Sequence, residues 1–201
     1  MQFYGAELLL FAPAAARLVV EIGCGRGDLY RAVANVFPSY IGFDFSPAMI
    51  SAFHRDHPGA DVVCADAVAL PVADATADFV FSNQVAQYLD SDALRASFGE
   101  AWRILRPGGT CLVGNVPDAH LRWAYCCGAL RAEQRPSLRQ LIRAAVSIGI
   151  LRRSDAIGLW HRRDTVASIA SALGFDVRTY SSPAYEYRFH AVLTKPGVSS
   201  L

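Results

Sequence analysis

Residues 18–29 read Leu18-Val19-Val20-Glu21-Ile22-Gly23-Cys24-Gly25-Arg26-Gly27-Asp28-Leu29. An apolar run ending in a carboxylate passes straight into three alternating glycines, which predicts a strand-to-helix turn open to a ligand. Glycine removes the Cβ that would hold a ligand off the backbone, and it admits the positive φ angles such a turn requires. Position 28, where a dinucleotide fingerprint wants glycine, holds Asp28. A pyrophosphate would lie against the following helix N-terminus, and Glu21 at the strand end disfavours an anion there. The pattern suits a ligand with a cationic group.

Working outward, short apolar or β-branched runs recur near 17–22, 40–44, 61–65, 78–82, 109–115, 175–180 and 188–194, with helical patterns at 28–36, 47–55, 91–105 and 165–173. This alternation predicts an α/β chain with a doubly wound, mostly parallel seven-stranded sheet. Leu94, Phe98, Trp102 and Leu105 form a stripe that faces the sheet. Arg106-Pro107-Gly108-Gly109 then stops that helix, and Asp164 and Gly174 read as the N-cap and the stop of the last one. The polar segment with Pro183 between the last two strands is too short for a crossover helix, so that pair should be antiparallel. Residues 118–161 break the alternation and read as a helical cap inserted in a single domain, 1–201. Leu138, Leu141, Ile142, Ala145 and Val146 give the cap one apolar face, and Arg135, Arg139 and Arg143 line another.

At 201 residues and 53% hydrophobic content, one domain with a full core is expected. No uncharged apolar run reaches the roughly 18 residues a membrane span needs, and the first residues lack a basic n-region. A cytoplasmic protein without stable membrane insertion is the expectation. Five cysteines with no Cys-x-x-Cys or Cys/His ligand spacing suggest reduced thiols and no metal site, with Cys24 a small packing residue of the glycine loop. A net charge of +1 argues against a nucleic-acid partner. Its distribution is uneven, since residues 118–164 hold nine arginines against four acids, giving +5 there and −4 elsewhere.

Glu21, Asp44 and Asp66 end three successive predicted strands, 23 and 22 residues apart. In a parallel sheet the carboxyl ends share one edge, so the three acids should line one crevice. Asp44 can accept from two ribose hydroxyls, and Asp66 from an exocyclic amine, which together describe an adenosine.

On these residues the chain resembles the class I S-adenosylmethionine-dependent methyltransferases of the small-molecule type. The likeness is carried by Val20 to Gly27, Asp44-Phe45-Ser46, Met49, Ala65-Asp66-Ala67 with Leu70-Pro71, Asp78 to Asn83, and Trp102 to Gly109. It implies a Rossmann-like sheet of order 3-2-1-4-5-7-6 with strand 7 antiparallel, and S-adenosyl-L-methionine as cofactor, giving S-adenosyl-L-homocysteine. It further implies that Gly23, Cys24, Gly25 and Gly27 seat the methionyl part, with Glu21 near its ammonium. Asp44 would hold the ribose, Phe45 and Met49 would pack on the adenine, and Asp66 and Ala67 would read its edge. Asn83 and Gln84 would lie near the sulfonium.

The chain departs from the family in two places. Only 18 residues precede Val19, so Phe3 and Tyr4 are expected to supply a short lid. Gln87-Tyr88-Leu89 stands where the family often has a histidine. Methyl transfer needs little acid–base machinery, and Tyr88, His120 and His161 are the candidates should a hydroxyl acceptor need a base. The arginines of the cap suggest a small, anionic acceptor. A catalytically silent, cofactor-binding partner subunit and a nicotinamide oxidoreductase are the competing readings.

Overall fold

The computed structural model describes residues 8–130, 137–146 and 157–197. Seven strands form one sheet: β1 (Leu18–Ile22), β2 (Ser39–Asp44), β3 (Val62–Cys64), β4 (Ala77–Asn83), β5 (Leu105–Pro117), β6 (Asp176–Ser181) and β7 (Arg188–Thr194). Their order is β3-β2-β1-β4-β5-β7-β6, with β7 antiparallel to both neighbours and the other pairs parallel. The short connection through Pro183 therefore makes the antiparallel pair that its length required.

The helices are α1 (Tyr30–Val33), α2 (Pro47–Asp56), α3 (Ser91–Ile104), α4 (Arg122–Cys127), α5 (Leu138–Ala145) and α6 (Arg163–Ala172). Strand alternation sorts the core into two layers. Val20, Ile22 and Val80 face α3 and α6, meeting Leu94, Phe98, Ala101, Ile104, Val166 and Ile169. Val19, Phe79 and Phe81 face α1 and α2, meeting Val33, Ile50 and Phe53. α3 starts cleanly because the Asp90 carboxylate accepts from Asp92 N and Ala93 N, and Ser46 does the same for α2 through Met49 N.

Three expectations need correction. The helix expected over 28–36 is one turn, and its start has no capping side chain. β5 begins at Leu105 rather than 109, so Leu105 packs its side chain from a strand and not from α3. α6 begins at Arg163 with Arg162 at the cap, and Asp164 sits inside the first turn. There Asp164 pairs with Arg162 at 2.8 Å and complements the positive helix end.

The region 118–161 holds α4 and α5, and Phe3, Tyr4 and Arg135 lie outside the described residues. Leu138 and Ile142 on α5, and Val146 just after it, stand exposed instead of packing inward, whereas Leu141 is half-buried. Among the described residues no helix is long and apolar enough to cross a membrane, and no group of three metal-ligating side chains occurs.

Candidate active site

The carboxyl ends of β1 to β5 meet at one edge of the sheet, and the cleft there has two connected parts. The larger, about 590 Å³, is lined by Asp44, Phe45, Asp66, Ala67, Tyr88 and Leu89 among others. The smaller, about 320 Å³, is lined by Glu21, Cys24, Gly25, Asp28, Asn115 and Tyr185 among others. Gly23, Asn83 and Gln84 border both.

The glycine loop is held by backbone first. Gly23 N and Cys24 N both donate to the Phe43 carbonyl, at 2.7 and 2.9 Å. Asp44 then joins the loop to the end of β2: its Oδ2 accepts from Gly25 N and its Oδ1 from Ser46 N, each at 2.9 Å. Each carboxylate oxygen keeps a second lone pair for a ligand hydroxyl. Gly25 has φ +55°, and a Cβ there would meet nothing within 4 Å, so its backbone lies open to the cleft. Gly27 serves a different need. A Cβ there would stand 2.7 Å from the His57 ring and 2.9 Å from that of Phe53, so this glycine lets α2 pack beneath the loop.

Glu21 is 2% exposed and accepts from the Tyr40 hydroxyl at 2.5 Å. Burial raises its carboxyl from 4.5 to about 8, against the lowering effect of the Tyr40 hydrogen bond, and the nearby Asp28 and Asp44 charges raise it further. Asp66 Oδ1 accepts from Val68 N at 3.2 Å. Among the described residues, no arginine, lysine or histidine forms an ion pair with Glu21, Asp44 or Asp66. The buried Cys24 thiol is pushed up by desolvation and by Glu21, so it is no nucleophile at neutral pH.

At the far end of the cleft, Asn115 has φ +55° where the β5–β7 register shifts. It donates from Nδ2 to Asn83 Oδ1 at 2.9 Å and accepts at Oδ1 from the Ser182 hydroxyl at 2.8 Å. Its N–H donates to His190 Nδ1 at 3.2 Å, and its carbonyl accepts from Arg188 Nη1 at 2.6 Å. Gln84 also has a left-handed φ, +60°, so two non-glycine residues hold uncommon backbone conformations at this edge.

The cleft thus gathers Glu21, Gly23, Cys24, Gly25, Asp44, Phe45, Asp66, Ala67, Asn83 and Gln84, whereas Gly27 and Met49 stand outside its lining. Ser46, Val85, Gln87, Asn115 and Tyr185 line it without having been anticipated. Gln87 was visible only as the residue in place of a histidine, and it now shows a buried Oε1 with no hydrogen bond.

Tyr88 is 75% exposed on the rim. His161 is buried with Nε2 at 2.8 Å from the Ala86 carbonyl, which can only accept, so that nitrogen carries the proton. Burial holds this ring below its usual range and hence neutral. His120 follows the Asp118 cap, its N–H bonded to Asp118 Oδ1. Arg139 stands exposed on α5, and the side chain of Arg143 lies outside the described residues.

Residues 20–113 match a family described as the methyltransferase domain. Over that stretch, a little under half of the chain, it is similar to the S-adenosylmethionine-dependent methyltransferases. It is 37% identical over 141 residues to the malonyl-acyl-carrier-protein O-methyltransferase of Hahella chejuensis, covering 66% of this chain and 50% of that protein. It is 32% identical over 118 residues to the protein so named in Pectobacterium atrosepticum, covering 58% and 46% respectively. The chain spans about half the length of these curated relatives. Among solved structures, it superposes on an S-adenosylmethionine-dependent methyltransferase from Archaeoglobus fulgidus with a TM-score of 0.66 and 17% identity, covering 96% of this chain and 94% of that one. A TehB-like methyltransferase from Corynebacterium glutamicum gives 0.64 and 17%, covering 95% and 86%.

The described residues fit the family's cofactor. An open Gly25 backbone, Asp44 with lone pairs to spare, and carboxyls without cationic partners suit a molecule that carries a ribose and positive charge but no phosphate.

Proposed function

We propose that this chain transfers a methyl group from S-adenosylmethionine to an oxygen of a small-molecule acceptor. The observation that carries this reading is the set of acids at the ends of β1, β2 and β3, which open into one cleft without a cationic partner among the described residues. Glu21 and the glycine loop would hold the methionyl part, Asp44 the ribose, and Phe45, Asp66 and Ala67 the adenine. When bound, the cofactor supplies an electrophilic methyl on a positively charged sulfur that leaves as a neutral thioether.

The chain's own contribution is alignment and exclusion of water. The Asn83–Asn115 pair and Tyr185 flank the place where an acceptor would enter. Oxygen as the methylated atom is supported by the O-methyltransferase relatives, and the segment 118–161 is proposed as the cap over the acceptor.

Two measurements test the reading. Titration calorimetry should give saturable binding of S-adenosylhomocysteine and none of NADH. Labelled S-adenosylmethionine should give turnover with a malonyl thioester or with a metabolite extract. Binding without transfer to any acceptor would favour the silent partner subunit, and loss of both would overturn the assignment.

A further inference from the structure

Asn83 ends β4 and borders both parts of the cleft, and a carboxamide in that place can show a ligand either its oxygen or its two N–H groups. Which one it shows is decided through Asn115 by the link between β6 and β7. Ser182 is buried in that link, and its Oγ accepts from Ala184 N at 3.2 Å and from Tyr185 N at 3.3 Å. Backbone N–H groups only donate, so both lone pairs of the hydroxyl are taken and its proton goes to the remaining neighbour, Asn115, at 2.8 Å. Asn115 must therefore turn Oδ1 to Ser182 and Nδ2 to Asn83, which meets it with Oδ1 at 2.9 Å. Every bond in this row runs the same way, and the row ends on Asn83 Nδ2. That nitrogen makes no hydrogen bond among the described residues and, unlike Gln87 Oε1, is not sealed from solvent.

The row cannot easily be reversed. Asn115 is 1% exposed, and its backbone is pinned by His190 Nδ1 and Arg188 Nη1. Turning its carboxamide over would aim an N–H at a hydroxyl with no lone pair left and set its oxygen against the oxygen of Asn83. Buried polar groups left facing like partners carry a desolvation cost that nothing offsets.

Resting on the methyl-transfer reading above, we infer that Asn83 meets the sulfur of the cofactor as a hydrogen-bond donor, with Ser182 and Asn115 as the positioning residues that forbid the opposite orientation. The place follows from covalent connectivity. With the adenosyl group in the larger part and the methionyl group in the smaller, the sulfur that joins them lies at the border shared by Gly23, Asn83 and Gln84. A donor there distinguishes the two states of the cofactor. The thioether of S-adenosylhomocysteine is neutral and accepts weakly, whereas the sulfonium of S-adenosylmethionine is opposed by the positive end of an N–H dipole. Asp28 and Asp44 line the cleft and attract the sulfonium. The Asn83 donor works against that attraction at the one atom whose charge changes, so binding is not spent on making the methylated form too stable to react.

The test titrates the full chain by calorimetry with S-adenosylmethionine and, separately, with S-adenosylhomocysteine. The two ligands share every group except the methyl and its charge, so a variant that merely loosens the hairpin weakens both alike and leaves the ratio of their dissociation constants unchanged. Asn83→Ala removes the donor without touching the hairpin, and it should shift that ratio in favour of S-adenosylmethionine by roughly three- to tenfold, the equivalent of about one hydrogen bond. Ser182→Ala removes the proton that directs the row and frees both carboxamides to turn, so the ratio should move the same way by roughly twofold or more. An unchanged ratio in Asn83→Ala overturns the contact with sulfur, and an unchanged ratio in Ser182→Ala overturns the positioning role. Failure of wild type to bind either ligand would instead overturn the methyl-transfer reading itself.

Discussion

The two edges of the sheet treat their acids in opposite ways. At the amino edge, Asp78 accepts from Arg17 N and Leu18 N at 2.9 Å and pairs with Arg106 at 2.8 Å. Nearby, Arg103 is shared between Glu100 and Asp74 and also donates to the Val72 and Leu70 carbonyls. The Arg103 guanidinium holds the Glu100 carboxyl below its usual range. At the carboxyl edge, Glu21, Asp44 and Asp66 have hydroxyl or backbone donors and no cation among the described residues. At the amino edge the acids are paired with arginines inside the chain, and at the carboxyl edge they are oriented by neutral donors alone, with burial keeping Glu21 protonated.

Substitutions at each edge can break or sharpen this contrast. Asp44→Ala should have the largest effect, weakening S-adenosylhomocysteine by about 1.5–3 kcal/mol, since charge-assisted bonds and the link to Gly25 are lost together. Calorimetry giving near-normal affinity would refute the ribose assignment. Asp78→Ala should do the reverse, lowering unfolding stability in urea by about 1–2 kcal/mol while the affinity of the folded protein stays at the wild-type value. A change of affinity in that variant would erase the distinction between the edges.

Glu21→Gln reads the contrast through pH. The folded state keeps a proton on Glu21 up to about 8, whereas the unfolded chain releases it near 4.5, so this group makes stability fall as pH rises through that window. The glutamine, which retains an acceptor for Tyr40, should remove that slope from urea midpoints taken across the window; an unchanged slope would show that Glu21 is ionised in the fold. Arg106→Ala should cost least, below about 1 kcal/mol and less still at high salt, because the arginine is 47% exposed.

Much of the carboxyl edge was legible because it depends on local signals. The glycine run, the acids at intervals of 23 and 22 residues, and the short link through Pro183 each follow from a few neighbouring residues, and they point to a shared sheet edge and an antiparallel last pair, while the full strand order was legible only through the family resemblance. What escaped was set by contacts between distant segments. Gly27 reads like its neighbours in sequence, but the rings of Phe53 and His57 give it its reason. The early start of β5 comes from pairing with Ala77 across a register shift. Arg188 gives no signal in its strand, and its bond to the Asn115 carbonyl appears only when β7 lies beside β5.

The left-handed residue at Asn115 has a consequence for the order in which the molecule is assembled. The larger part of the cleft is drawn from residues 22 to 89 through successive crossovers. The wall of the smaller part at Asn115 needs that residue to meet Ser182, Arg188 and His190, contacts spanning 67 to 75 residues. Closing such loops carries an entropic cost before any contact rewards it. The turn at Asn115 therefore takes its final form only when the last hairpin joins β5, after the crossovers that shape the rest of the cleft.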